Sequence, residues 1–213
     1  MLSSIDILKD EFKDETAYLI GSGSSLDAYP KDFFKFRCLT IGLNEVCLYL
    51  PCAFTITVHH EFFPDLLDCH TRFVISRHKH LLKDQGSPAF QYLDDDQREH
   101  YYFTHPENGF GTINHPTGDE QLPAAGTCTV PGLAFCRWLG VRTVYLCGID
   151  GRALNGKTNY AGYAGPAVEL EGGYIQHLDN TRHLIRELID SWGGDGPEVI
   201  GLNPFLDFYS VPK

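Results

Sequence analysis

Short apolar runs alternate along this chain with segments long enough to form helices. Thr16 to Ile20, Arg37 to Leu43, Ala53 to Val58, Arg72 to Ser76, Val141 to Cys147 and Val199 to Leu202 all read as strands. Each run ends in glycine or polar residues, and helix-length spacers separate most of them. That pattern predicts an α/β fold with a mostly parallel, doubly wound sheet. Ser4 to Phe12 places Ile5, Leu8 and Phe12 at helical spacing and predicts a capped first helix. A second helix is expected to open at Gly126-Thr127-Cys128-Thr129, with Thr129 as cap and Pro131 in the first turn, and to stop at Gly140. His177 to Trp192 sets Leu184, Ile185, Leu188 and Trp192 on one face of a third helix, closed by Gly193-Gly194.

Two stretches lack either period. Residues 84–125 mix Asp94-Asp95-Asp96, Tyr101-Tyr102 and several Pro and Gly, which predicts irregular structure with one short strand at Tyr101 to Thr104. The aspartate run reads as a solvated loop or helix end. Residues 151–176 are rich in glycine and carry Tyr160, Tyr163 and Tyr174, which predicts a flexible lid. Neither repeats nor low-complexity segments break the chain, so 1–213 reads as one domain with the lid inside it.

Composition narrows the partners. The chain has 213 residues, 43% of them hydrophobic, enough for a sizeable core. Its 17 Lys and Arg stand against 28 Asp and Glu, a net charge of -11. That argues against a nucleic-acid partner, which needs a basic surface. It leaves room for a small anion held by backbone N–H groups and helix N-termini. No apolar run approaches the length of a membrane span. Met1 to Lys13 is amphipathic and acidic, unlike a signal peptide. Seven cysteines, without a C-x-x-C pair, read as reduced thiols and point to the cytoplasm. His59 and His60 would alternate to opposite sides of a strand, and His78 with His80 lacks a further ligand, so no metal site or cofactor is expected.

Ligands of open parallel sheets bind beyond the carboxyl ends of the strands. The polar residues there are Ser22, Ser24 and Ser25 of the glycine loop (Gly21 to Leu26), Asn44, His59 to Glu61, Asp150 and Asn203. The glycine loop reads as either an ordinary βα turn or a nucleotide cradle. Asp150 can bind a cation, orient a hydroxyl or cap the next turn. Tyrosine hydroxyls in the lid can donate to a phosphate without adding a full charge. His177, just after the lid, can act as a general base or serve as a helix cap. Neither a phosphate-binding G-x-x-x-x-G-K-[ST] loop nor a serine-hydrolase elbow is present.

The order of motifs resembles the bacterial sialyltransferases that use CMP-sialic acid, with a related group of pterin-pyrophosphokinase-like proteins that share the G-x-G-x-S-L opening. The resemblance rests on Tyr18-Leu-Ile-Gly-Ser-Gly-Ser-Ser-Leu26, Asn44, Ala125-Gly-Thr through Val144-Tyr-Leu-Cys-Gly-Ile-Asp150, Tyr160, and Tyr174-Ile-Gln-His177 with Asn180-Thr181. It implies a Rossmann-like single domain whose lid orders over the donor. It further implies His177 as base on the acceptor hydroxyl, Tyr160 as support for the departing phosphate, Asn44 as a donor contact, and transfer without metal. Gly21, Ser22, Gly23, Ser24, Ser25, Ala125, Gly126, Thr127, Asp150, Arg152 and Tyr174 complete the expected nucleotide site.

The chain departs from that family at three places. Ser22 and Ser24 stand where the sialyltransferases read G-N-G-P-S-L. The second lid tyrosine is replaced near Gly151-Arg152, where Arg152 offers a positive charge instead. Leu122-Pro123 occupies the place of an arginine. The expected function is therefore a glycosyltransferase that moves a sugar from a nucleotide donor, CMP-linked for preference, to a glycan or other hydroxyl acceptor. Two alternatives stand beside it: a magnesium-dependent pyrophosphokinase with Asp150 and Glu61 on the cation, and a nucleotide-binding protein without catalysis. The aromatic residues of 84–125 suit either acceptor binding or the interface of a homo-oligomer.

Overall fold

Eight strands hydrogen-bond in one sheet, and every neighbouring pair is parallel. They are β1 (Leu2–Ser4), β2 (Thr16–Ile20), β3 (Leu39–Leu43), β4 (Phe54–Thr57), β5 (Arg72–Ser76), β6 (His100–Phe103), β7 (Thr143–Cys147) and β8 (Glu198–Gly201). Among the described residues, the α-helices that accompany them are α1 (Val46–Tyr49), α2 (Thr129–Trp138) and α3 (Gly172–Ser191). The structure, a computed structural model, describes residues 2–30, 32–35, 39–58, 66, 68–76, 98–106, 112–116, 121–151, 153, 156–161 and 172–202, with backbone alone over 172–179.

The strand order is β1-β6-β5-β4-β3-β2-β7-β8. From β2 the chain steps outward through β3, β4, β5 and β6, then returns through α2 to lay β7 on the other side of β2. The direction of winding reverses between β2 and β7, as in a Rossmann-like α/β fold, and opens a crevice beyond their carboxyl ends. Helices α2 and α3 each run back to the amino end of the strand that follows. Their N-termini therefore stand at the carboxyl edge of the sheet.

Alternation along each strand divides the core. Ala17, Leu19, Val144 and Leu146 face α2 and α3, where Leu133, Phe135, Leu184, Ile185 and Trp192 cover them. Ile20, Phe73, Ile75 and Cys147 face the opposite layer with Leu26, Phe34, Val46 and Leu66. The cysteines described are all free thiols. Among the described residues, no helix is long and apolar enough to cross a membrane.

The six apolar runs of the sequence are all strands: Thr16–Ile20 and Arg72–Ser76 match as expected, the runs at 53–58 and 141–147 are shorter by one residue at each end and by two at the start, and the last is shifted one residue earlier; Arg37 and Cys38 lie outside the described residues. Strand β6 starts one residue before the expected Tyr101. The strand β1 was not expected. It is three residues long, too short to show a period, and its partner is β6, with Leu2 beside His100.

The expected first helix is a single 3-10 turn, Ile5–Leu8, in which Ser4 Oγ accepts from the Asp6 N–H at 3.1 Å. It goes no further because the next N–H groups are drawn elsewhere. Asp10, Phe12 and Asp14 donate to the carbonyls of Trp138, Leu139 and Gly140 at 3.0, 2.9 and 3.0 Å. Asp10 and Asp14 take positive φ values of 59° and 64°, and strap the segment over the end of α2. At the other end of α2, Thr129 is the first helical residue, not the cap. Cys128 holds the cap position, and the Thr129 N–H donates to Thr127 Oγ1 at 3.3 Å. Helix α3 begins at Gly172, so the last residues of the expected lid are helical.

Gly140 ends α2 as expected, with φ at 76°. A Cβ there would sit 2.8 Å from Asp10 Oδ1 and 3.1 Å from Asp10 Cα. Gly140→Ala is expected to lower unfolding free energy by about 1–2 kcal/mol, from left-handed backbone strain and displacement of the strap. Urea denaturation checks this; an unchanged midpoint would show that strap and helix end are not coupled.

Candidate functional site

The crevice is built first from backbone. The Gly21 N–H donates to the Cys147 carbonyl at 2.8 Å and the Gly23 N–H to the Gly148 carbonyl at 2.7 Å, extending the β2–β7 ladder past both strand ends. The approach is too close for side chains. A Cβ on Gly21 would lie 2.7 Å from Gly148 O, and one on Gly23 would lie 2.5 Å from the same atom and 2.7 Å from Asp150 Oδ2. The two glycines of the G-x-G pattern are thus required by the fit of one loop against the other. One turn on, the Ser25 N–H donates to Asp150 Oδ2 at 2.8 Å, and Ser25 Oγ donates to Asp150 Oδ1.

Asp150 is buried, and both of its oxygens are taken up by Ser25. Burial raises its carboxyl above the ordinary value, while the hydrogen bonds from Ser25 pull it back down. Of its three sequence readings, the geometry is that of a tie between loops. Glu61, its suggested companion on a cation, lies outside the described residues.

The segment after β7 returns across the glycine loop. Gly23 and Asn159 form an antiparallel bridge, and the Tyr160 N–H donates to the Ser22 carbonyl at 3.1 Å. Ser24 Oγ donates to the Lys157 carbonyl at 2.9 Å, and Ser22 Oγ to Asn159 Oδ1 at 3.4 Å. Asp27 accepts the Ala161 N–H with both oxygens, at 2.9 and 3.1 Å. Ser22 and Ser24, where the chain departs from G-N-G-P-S-L, hold the first part of the expected lid. Tyr160 is buried and stacks on Tyr49 with ring centroids 4.2 Å apart. Burial, followed by the charge of Glu45 and by Tyr49 and Cys47, pushes its phenol up to about 12. It is therefore a protonated donor at neutral pH.

Asn44 lies at the carboxyl end of β3, beside the glycine loop, in the left-handed region at φ 52°. Its Oδ1 accepts from Thr57 Oγ1 at 3.0 Å and from Cys128 Sγ at 3.1 Å. Two donors on the oxygen fix the amide's orientation and turn its NH2 away from both. The Cys128 bond also draws the N-terminus of α2 to this point. Ala125 is buried, and Gly126 and Thr127 are half-buried at the same edge. At the start of α2 the Thr129 N–H is taken by Thr127 Oγ1, Pro131 has no N–H and the Gly132 N–H bonds to the Cys128 carbonyl, so the Val130 N–H and the helix dipole are what this end brings to the edge.

The structure thus brings together Gly21, Ser22, Gly23, Ser24, Ser25, Asp150 and Tyr160, and places Asn44 with Ala125, Gly126 and Thr127 next to them. Tyr174 and His177 occupy the first two turns of α3, at the same edge of the sheet. Arg152, Tyr163, His59, His60, His78, His80, Asp94 to Asp96 and Asn203 lie outside the described residues. Sequence reasoning missed Thr57 and Asp27, which act through Asn44 and Ala161, and it missed Glu45. The signal for Glu45 was its place directly after the strand-end asparagine.

No family model matches the chain, and no curated protein matches it by sequence. Solved structures match its fold. A Maf glycosyltransferase from Magnetospirillum magneticum AMB-1 superimposes with a TM-score of 0.56 at 13% identity, over 96% of this chain and 35% of that one. The sialyltransferase CstII from Campylobacter jejuni, solved with the substrate analogue cytidine-5'-monophosphate, gives 0.53 at 16% identity, over 94% of this chain and 86% of that one. This chain spans about a third of the Maf protein. Both structural neighbours are glycosyltransferases.

A carboxyl whose pKa is raised by folding keeps a proton that the unfolded chain has released. Stability therefore falls as pH rises from 3.8, the ordinary value, through the folded value, and is flat above it. Asp150→Asn is expected to remove that slope while weakening the tie to Ser25. Urea midpoints across pH 3 to 8 check it; an identical slope in the variant would place the titration elsewhere.

Proposed function

We propose that this chain is a glycosyltransferase that takes a nucleotide-sugar donor, a CMP-sugar for preference, and transfers the sugar to a hydroxyl of a glycan or other acceptor. The observation that carries the reading is the crevice at the β2–β7 reversal. There a glycine loop, the Asn44 amide and the N-terminus of α2 meet at one edge of the sheet in a protein of net charge -11. Neutral donors of this kind accept a nucleotide phosphate without a basic surface. The fold likeness to two glycosyltransferases, one of them solved with cytidine-5'-monophosphate, supports the same reading.

In the reaction, the bond from the sugar to the phosphate oxygen breaks and a bond to the acceptor oxygen forms. His177 takes the acceptor's proton as general base. Position 177 lies one turn before Thr181, on the face of α3 that carries the buried Leu184 and Leu188 toward the sheet. The leaving nucleotide keeps the bonding pair, and its phosphate charge meets the hydroxyls of Tyr160 and Tyr174, Arg152 and the N-terminus of α2. In this reading those donors meet the charge without a metal. The segment between β7 and α3 acts as the lid, and Lys157 to Ala161, laid along the glycine loop, are its stem.

Thermal shift against CMP, UDP and GDP sugars and ATP tests the nucleotide site, with the CMP-sugar expected to raise the melting temperature most. His177→Ala should then lower transfer by about 100-fold or more while the donor still binds. Full turnover in the variant, or turnover abolished by EDTA, would overturn the mechanism.

A further inference from the structure

Glu45 is buried, with 7% of its surface exposed. Its Oε2 is closed off from solvent with no partner. Such a group is costly and calls for an explanation. Capping does not supply one: Glu45 precedes α1, yet its side chain bonds to no backbone N–H there. Among the described residues no cation pairs with it, and no cluster of three His, Cys, Asp or Glu side chains gathers around it. It does stand close enough to Tyr160 to raise the phenol's pKa.

Its position is informative. Strand β3 lies directly beside β2 in the sheet, and Glu45 follows β3 at the carboxyl edge, after Asn44. In nucleotide-binding sheets of this winding, an acid at the end of the strand next to the glycine loop, about 20 residues further on, takes the ribose hydroxyls. A vicinal diol offers two neutral donors to one carboxylate, and adds no charge to a site that must also hold a phosphate.

We propose that Glu45 is the ribose-recognising residue of the nucleotide site, and that it makes the chain selective for ribonucleotides over their 2'-deoxy counterparts. This rests on the nucleotide site proposed above. The carboxylate accepts from the 2'- and 3'-hydroxyls, Asn44 and the N-terminus of α2 lie toward the phosphate side, and the stacked Tyr49–Tyr160 pair walls the sugar.

The experiment titrates wild type, Glu45→Gln and Glu45→Ala with CMP, UMP, GMP and AMP, each beside its 2'-deoxy form. Wild type should bind the ribonucleotide at least about tenfold more tightly than its deoxy partner, about what one charge-assisted hydrogen bond is worth. That ratio should fall toward one in both variants. The melting temperature without ligand gives an independent readout: Glu45→Gln removes an uncompensated charge and should raise it, whereas a carboxylate with a structural role would lower it. If wild type binds the ribose and deoxy forms alike, or the ratio survives in both variants, this inference is overturned while the nucleotide site stands. If magnesium alone stabilises wild type but not Glu45→Gln, the carboxylate is a cation ligand and the inference is again overturned. If no nucleotide binds at all, the functional reading fails and takes this one with it.

Discussion

Two loops leave the sheet at β2 and β7, and a buried carboxylate holds them together. Asp150 accepts both the N–H and the hydroxyl of Ser25, while Gly21 and Gly23 let the backbones approach to a distance no side chain would tolerate. With the loops locked, the Ser22 carbonyl presents itself to Tyr160, and Ser22, Ser24 and Asp27 receive the segment that crosses above. The crevice owes its shape to this contact. Much of the loop's hydrogen-bonding capacity is thereby used within the protein, and the proposed function assigns ligand recognition to the groups around it.

Those groups share one electrostatic character. Asn44 offers an amide, Tyr160 a phenol whose pKa burial raises further, and α2 its N-terminal dipole. Each can meet a phosphate without a fixed cation, which suits a chain with 28 acidic residues. In the proposed site Glu45 is the exception, a buried carboxylate among groups assigned to an anion. An uncharged diol reconciles the two, because it satisfies the acid and leaves the phosphate to its neighbours.

The sheet was legible in the sequence because its central strands are apolar runs of four to seven residues with clear ends. What failed to show was short or set by distant contacts. Strand β1 has three residues and depends on β6. The helix expected from Ser4 is undone by bonds to Trp138, Leu139 and Gly140, more than a hundred positions away, which no local period reveals. Thr129 has the chemistry of a cap, but Cys128 takes that place. The glycine loop was found for its glycines, although close approach of the Gly148 carbonyl is what requires them. Glu45 went unnoticed because an acid after a strand is ordinary until its burial is known.

Crystals grown with CMP test the central claim most directly. The account predicts the nucleotide at the carboxyl ends of β2, β3 and β7, with phosphate toward the Asn44 amide and the start of α2. Density for CMP elsewhere would contradict it, for example in the cavity of about 460 Å³ lined by Lys9, Arg137, Trp138 and Trp192 at the far end of α2.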